Sequence, residues 1–280
     1  MNGGDTGRAR RAAGTQREPI VTRARQTAAE AGAVVLRSVR ELEALREAGR
    51  VVAQVLAVLA ALIAPGVTTL ALDEAAEDVI RRAGGVPTFK GYQGFPAAMC
   101  VSVNAEVVHG IPDGRRLRPG DLVSCDVGAT LGGYIGDGAW TFSVEPVSEA
   151  SRRLLAVTRE ALESGIAAAQ PGARVGDIGA AVQRVAEGAG YSVVRKYCGH
   201  GVGTSMHEPP QVPNYGVAGS GPLLRPGMVI AIEPMVNVGV SDVRVLANRW
   251  TVVTRDGLPS AHFEHTVAIR EDGPEILTSL

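Results

Sequence analysis

Four carboxylates and one imidazole stand in settings where such groups are costly unless something holds them. Asp126 lies in Val123–Val127, Asp137 in Gly136–Phe142, Glu233 in the apolar run Met228–Val236, and Glu264 in His262–Val267. Burying an unpaired carboxylate in a strand costs several kcal/mol, so each position calls for a positive partner. No lysine or arginine lies between Arg118 and Arg152, which leaves a divalent cation as the natural counter-charge for the two aspartates. His200 sits in Tyr197-Cys198-Gly199-His200-Gly201-Val202-Gly203, where glycines on both sides leave room beside the ring. Four carboxylates and one imidazole are too few for two separate cages. They suit two ions about 3.5–4 Å apart that share carboxylates. Oxygen-rich ligation with one nitrogen favours Mn, Fe, Co or Zn over copper and does not choose among them. The blander alternative is that two exposed aspartates border a hairpin and a lone histidine packs structurally. The Gly-x-Gly pattern around His200 is not a phosphate loop, because no Gly-Lys-Ser/Thr follows it.

The elements that must position these groups can be read along the chain. A helix over Ser38–Ala64 opens with a capping box, Ser38 with Glu41, and stops at Pro65-Gly66. A second spans Leu70–Arg82, with Gly84-Gly85 after it. Strands follow at Ala98–Asn104, Leu122–Val127 and Gly138–Val144, then helices at Glu149–Ala169 and Val175–Ala189, then strands and turns to Leu277. A hairpin turning on Leu131-Gly132 would set Asp126 directly opposite Asp137, with Cβ atoms about 4.5–5.5 Å apart. The order repeats: Leu117–Asp126 is echoed by Leu224–Glu233, 107 positions on, and a carboxylate ends both copies. The expectation is a duplicated α+β fold with pseudo-twofold symmetry, its halves about 38–145 and 146–280, bringing Asp126 and Glu233 to a shared centre.

Composition bounds the rest. The chain has 280 residues, 45% hydrophobic, with formal net charge −1, which suits a globular protein and not a surface built for nucleic acid. The longest apolar run, Val51–Ala64, falls short of the roughly 20 residues that span a bilayer, so no membrane association is expected. No apolar segment follows Met1, and Cys100, Cys125 and Cys198 are few and widely spaced; together these imply a reducing, cytoplasmic setting. Residues 1–37 read as a flexible basic extension, since the first 40 residues hold eight arginines, Arg37 and Arg40 among them. It either solubilises the chain or touches ribosomal or other RNA phosphates.

Several motifs carry a closer likeness. They are Gly94-Phe95-Pro96, Ser102-Val103-Asn104, Val107-Val108-His109-Gly110-Ile111-Pro112, the His200 segment with Met206-His207-Glu208 behind it, Ile232-Glu233-Pro234-Met235 and Phe263-Glu264-His265-Thr266-Val267. In these the chain resembles type I methionine aminopeptidases from about Arg40 to Leu277. The resemblance implies the "pita-bread" fold, with an antiparallel sheet and helices on its outer face. It also implies removal of the N-terminal methionine from nascent polypeptides when the second residue is small, by a monomer carrying two divalent ions (Co, Mn, Fe or Zn). It makes Asp126, Asp137, His200, Glu233 and Glu264 the metal ligands, Asp137 and Glu264 bridging, with Glu233 also the general base. His109 and His207 would be substrate-side catalytic histidines. Phe89, Tyr92 and Phe95 cluster in a glycine-rich loop and suit a thioether pocket; the resemblance adds Cys100, Met206 and Trp250 to its wall. Ile135, Gly138 and Ala139 depart from the usual His-Gly-Asp-Thr/Ser, and Gly128 replaces a frequent threonine, which bears on the groups that orient the ligands. Relatives acting on Xaa-Pro bonds usually carry a large extra N-terminal domain, and a binding module that had lost the chemistry would be expected to have lost ligands.

Overall fold

The first helix starts where its cap requires. The Glu41 N–H donates to the Ser38 hydroxyl while the Glu41 carboxylate accepts from the Ser38 N–H, and α1 runs Val39–Leu62. The computed structural model describes Met1 and residues 33–279. Three further helices follow: α2 (Thr69–Arg82), α3 (Glu149–Ala168) and α4 (Val175–Gly188). Thr68 and Ser148 cap α2 and α3 through their hydroxyls, while the Arg174 N–H at the start of α4 donates to Asp177. All four lie within two residues of their expected bounds.

The first half contributes strands β1 (Val86–Pro87), β2 (Cys100–Val103), β3 (Glu106–Val108), β4 (Leu122–Leu131) and β5 (Tyr134–Ser143). The second begins with β6 (Ser192–Val193), β7 (Gly199–Gly201), β8 (Glu208–Val212), β9 (Val229–Ile232) and β10 (Met235–Asn237). It ends with β11 (Val243–Val245), β12 (Val252–Thr254), β13 (Ser260–His262), β14 (His265–Arg270) and β15 (Gly273–Ile276). Every pairing is antiparallel; β4 lies between β2 and β5, and β9 between β7 and β14.

The repeat is visible in detail. α2 and α4 have 14 residues each. β1 pairs with the end of β4 as β6 pairs with β10, and the bridge Thr68↔Arg116 recurs as Arg174↔Leu223. Each half has its own core. Val123, Cys125 and Val127 of β4 pack on α1 and α2, and Ile230 and Ile232 of β9 pack on α3 and α4. Because side chains alternate along a strand, Asp126 and Glu233 must face away from the helices, toward the middle of the molecule.

Two expectations need correction. The β4–β5 hairpin turns on Gly132-Gly133, both at positive φ (58° and 86°), as a two-residue type I′ loop demands. The register therefore pairs Asp126 with Ala139 and Gly128 with Asp137. The two aspartates still share a face but are diagonal neighbours, with Cα atoms about 7–8 Å apart instead of directly opposed. Arg37 is not part of a free extension. It is 9% exposed, its N–H donates to the Gly227 carbonyl at 2.7 Å, and its guanidinium binds Glu208. Residues 2–32 of the expected extension lie outside the described residues. No described helix is long and apolar enough to cross a membrane.

Candidate metal centre

β5 meets β13 and β14 across the middle of the molecule, and this seam carries the carboxylates. The Glu264 N–H donates to the Ala139 carbonyl (2.8 Å). Thr266 holds Asp137 from both sides: its hydroxyl donates to the Asp137 carbonyl (2.7 Å) and accepts from the Asp137 N–H (3.1 Å). Ligand atoms of Asp137, His200 and Glu264 lie within 4.8 Å of one another, and all three residues are buried. His200 Nε2 is 3.5 Å from Asp137 and 3.6 Å from Glu233, while its Nδ1 hydrogen-bonds the Gly201 carbonyl (2.9 Å), which turns Nε2 toward the carboxylates. Asp126 and Glu233 flank this cluster on the same cavity wall. Asp126 Oδ1, Asp137 Oδ1 and Glu264 Oε1 are buried without a hydrogen-bond partner. Orphaned acceptors gathered with an imidazole nitrogen form a donor set that fits divalent cations of the Mn, Fe, Co or Zn kind.

The electrostatics point the same way. Without cations, burial pushes the Asp126 carboxyl up to about 7. Burial, then the charge of Asp126, holds Asp137 well above the usual carboxylate range; burial and then Asp137 do the same to Glu233 and Glu264. Burial also drives His200 down to about 3. A carboxylate raised in the folded state stabilises the fold fully below its unfolded pKa, and this is lost as pH rises through the folded value. Buried neutral histidines have the opposite sign, but their contribution is already complete above about 6.5. Metal-depleted protein should therefore lose melting temperature as pH rises from about 6.5 through about 7, where Asp126 titrates, and excess Mn²⁺ should reduce that slope. A flat or rising Tm in the depleted protein would contradict this account of the cluster.

The remaining expected residues surround one cavity of about 1140 Å³. Phe89, Tyr92, Phe95, Cys100, Met206 and Trp250 all line it. Phe95 meets Trp250 edge to face at 5.1 Å, and Cys100 pairs with Asp126 across β2 and β4. His207 lies at the mouth, 4.3 Å from His200 between ring centroids, and its Nδ1 is 2.8 Å from the Tyr92 hydroxyl. His109 has left-handed backbone (φ 59°), an orphaned Nδ1 and a pKa lowered to about 4, mainly by burial.

Gly128 has a local explanation. A Cβ there would come within 2.6 Å of the Phe89 ring and 3.1 Å of Thr88, so the aromatic occupies the space a threonine would need. Gly128→Thr should cost about 1–3 kcal/mol of stability through overpacking, and Phe89→Ala should relieve it. Equal Tm values for Gly128→Thr and wild type would show that the ring is not fixed there. Ile135 packs in a buried apolar cluster. Thr266, by bonding both backbone groups of Asp137, steadies that ligand by a route that needs no side chain from Gly138 or Ala139.

One residue escaped the sequence reading. His262 is 1% exposed with both ring nitrogens unpartnered, and its Nε2 is 3.9 Å from Glu233. Burial and the neighbouring His109 lower it to about 3. The available signal was its place two residues before Glu264, the spacing that puts two strand side chains on one face.

Known proteins share this architecture. Residues 43–271 match metallopeptidase family M24. The methionine aminopeptidase 1 of Bacillus subtilis is 52% identical over 245 residues, covering 88% of this chain and 99% of that protein. The Mycobacterium tuberculosis methionine aminopeptidase 1 is 50% identical, covering 86% and 94%. Among solved structures, the Thermotoga maritima methionine aminopeptidase superposes with a TM-score of 0.87 at 44% identity, covering 89% of this chain and all of that one. The Pyrococcus furiosus prolidase shares the fold (TM-score 0.70, 24% identity; 88% of this chain, 66% of that one). With the pita-bread architecture, the acidic seam and relatives matched along nearly their whole length, the chain belongs to metallopeptidase family M24.

Proposed function

We propose that this protein is a metal-dependent methionine aminopeptidase that removes the N-terminal methionine from nascent polypeptides when the second residue is small. The observation that carries the reading is a single cavity with two chemically distinct walls. One wall holds the buried cluster of Asp137, His200 and Glu264 flanked by Asp126 and Glu233. The other is an aromatic, thiol and thioether surface suited to an unbranched sulfur-containing side chain. The methionine aminopeptidases matched over nearly their full length support the same reading. Action as a monomer in the cytoplasm belongs to the same reading, since nascent polypeptide N-termini are its substrate.

Asp126, Asp137, His200, Glu233 and Glu264 are the residues that would hold two divalent ions, Asp137 and Glu264 being the carboxylates that would serve both. When bound, such ions polarise a carbonyl and lower the pKa of water toward neutrality. The acidic end of the cavity receives the free α-amine of the substrate, which makes the reaction exopeptidic. Glu233, raised in pKa by burial and by Asp137, is assigned to take a proton from the attacking water and pass it to the leaving nitrogen. The Tyr92 hydroxyl lies 2.8 Å from Nδ1 of His207 and is assigned as the donor there, which would put the ring proton on Nε2, available to the oxyanion as it develops. His109, neutral at pH 7, is assigned to donate to the scissile amide nitrogen.

The test is a substrate panel. Met-Ala-Ser should be cleaved, Met-Asn-Ser poorly, and Gly-Pro peptides not at all; preference for Gly-Pro would transfer the protein to the Xaa-Pro peptidases of the same fold. We further propose that the basic extension contributes only to location. Deleting residues 1–30 should leave Met-Ala-Ser turnover unchanged while weakening salt-sensitive ribosome co-sedimentation. Equal co-sedimentation of both forms at low salt would remove RNA contact from the account.

A further inference from the structure

His207 has no rigid element beneath it. It follows Thr204 and Ser205, which are exposed, on the short arc between β7 and β8, and its own ring is tied only to the Tyr92 hydroxyl. The arc is gathered instead by the next side chain. Glu208 Oε1 accepts the N–H groups of Thr204 (3.0 Å) and Ser205 (3.1 Å), and Oε2 accepts from the Arg37 guanidinium. The Arg37 and Glu208 side chains are only 6% and 12% exposed. Gly203 makes the arrangement possible, since any side chain there would collide with that guanidinium. Arg37 is itself immobilised: its N–H is bonded to Gly227 at 2.7 Å, and its other terminal nitrogen lies 3.7 Å from Glu41.

We propose that Arg37 is a positioning residue for the reaction, clamping Glu208 so that the Gly203–Glu208 arc presents His207 to the cavity. This rests on the aminopeptidase reading given above. Arg37 directly precedes Ser38, the N-cap of α1, so the start of that helix is coupled to the active site across 171 residues of sequence. A buried charge pair broken on one side leaves the other charge poorly compensated, and Glu208 would then no longer fix the two amides it collects. His207 would keep its chemistry and lose its placement.

The experiment uses full-length, Mn²⁺-loaded protein carrying Arg37→Ala, Arg37→Lys, His207→Ala, or Arg37→Ala with His207→Ala. Turnover of Met-Ala-Ser is measured together with bound metal and hydrogen exchange at residues 201–210. Arg37→Ala should lower kcat about tenfold while leaving KM within about twofold and metal content unchanged. Exchange at Thr204 and Ser205 should quicken, and Arg37→Lys should recover most of the loss. The double variant should be no slower than His207→Ala alone, because the clamp acts only through that histidine. Wild-type kcat in Arg37→Ala, or losses that multiply in the double variant, would overturn the proposal. If Arg37→Ala does not fold, Glu208→Gln carries the test, since it keeps an oxygen for the two amides and removes the charge facing Arg37. Its kcat should fall with the same non-additivity toward His207→Ala, and an unchanged kcat would overturn the proposal. If the wild type failed to cleave Met-Ala-Ser, the aminopeptidase reading would fall, while exchange at Thr204 and Ser205 in Arg37→Ala would still decide the clamp.

Discussion

Replacing Asp137 with alanine should abolish metal uptake and peptide hydrolysis together. Asp137 is buried, its backbone is held on both sides by Thr266, and one of its oxygens has no protein partner. Its ligand atom lies within 4.8 Å of those of His200 and Glu264, so Asp137, like Glu264, is placed to serve two ions. Its loss removes one negative charge from a site whose attraction for cations rests on four, and leaves Glu264 as the one carboxylate assigned to both ions. The fold should survive, because relieving a crowded, desolvated carboxylate offsets the small cavity created. Metal analysis after gel filtration, read beside a thermal melt, checks both halves. Two bound ions with near-normal turnover would show that Asp137 is not the shared ligand this account makes it.

His207→Ala should behave differently, lowering kcat by about 10²–10³, the usual loss for one oxyanion donor, with metal content retained. His207 stands at the cavity mouth beside His200, and its Nδ1 is occupied by Tyr92. Tyr92→Phe should therefore cost less than His207→Ala, since it removes the group that orients the ring and leaves the ring in place. A His207→Ala protein that came off the column without metal would make His207 a ligand and remove it from the oxyanion role.

Much of this arrangement was legible in the residues. Ser38 and Glu41 mark the start of α1 because a capping box is a local device, decided within four positions. The repeated Leu-Arg-Pro-Gly segments mark equivalent turns because each needs the same backbone at its glycine, and Gly120 and Gly227 take φ of 95° and 92°. What stayed hidden was non-local or turned on a single step. Leu131-Gly132 and Gly132-Gly133 are both credible hairpin loops, and only the second supplies two positive-φ positions; choosing the first shifts the pairing of Asp126. Arg37 reads as one more arginine in a basic run, and its burial depends on Glu208, far away in sequence. His262 carries no motif of its own, and its proximity to Glu233 arises only when β13 and β10 pair and set Met235 against His262.

The central claim is that this cavity hydrolyses the bond after a free N-terminal methionine and needs its acidic seam filled to do so. Metal-depleted protein titrated with Mn²⁺ under anaerobic conditions, with methionine release measured from Met-Ala-Ser and from its N-acetylated form, tests it most directly. The account predicts release that rises with bound metal, levels off by two ions per chain, and occurs only from the peptide with a free amine. Equal release from the acetylated peptide, or turnover indifferent to metal, would contradict it.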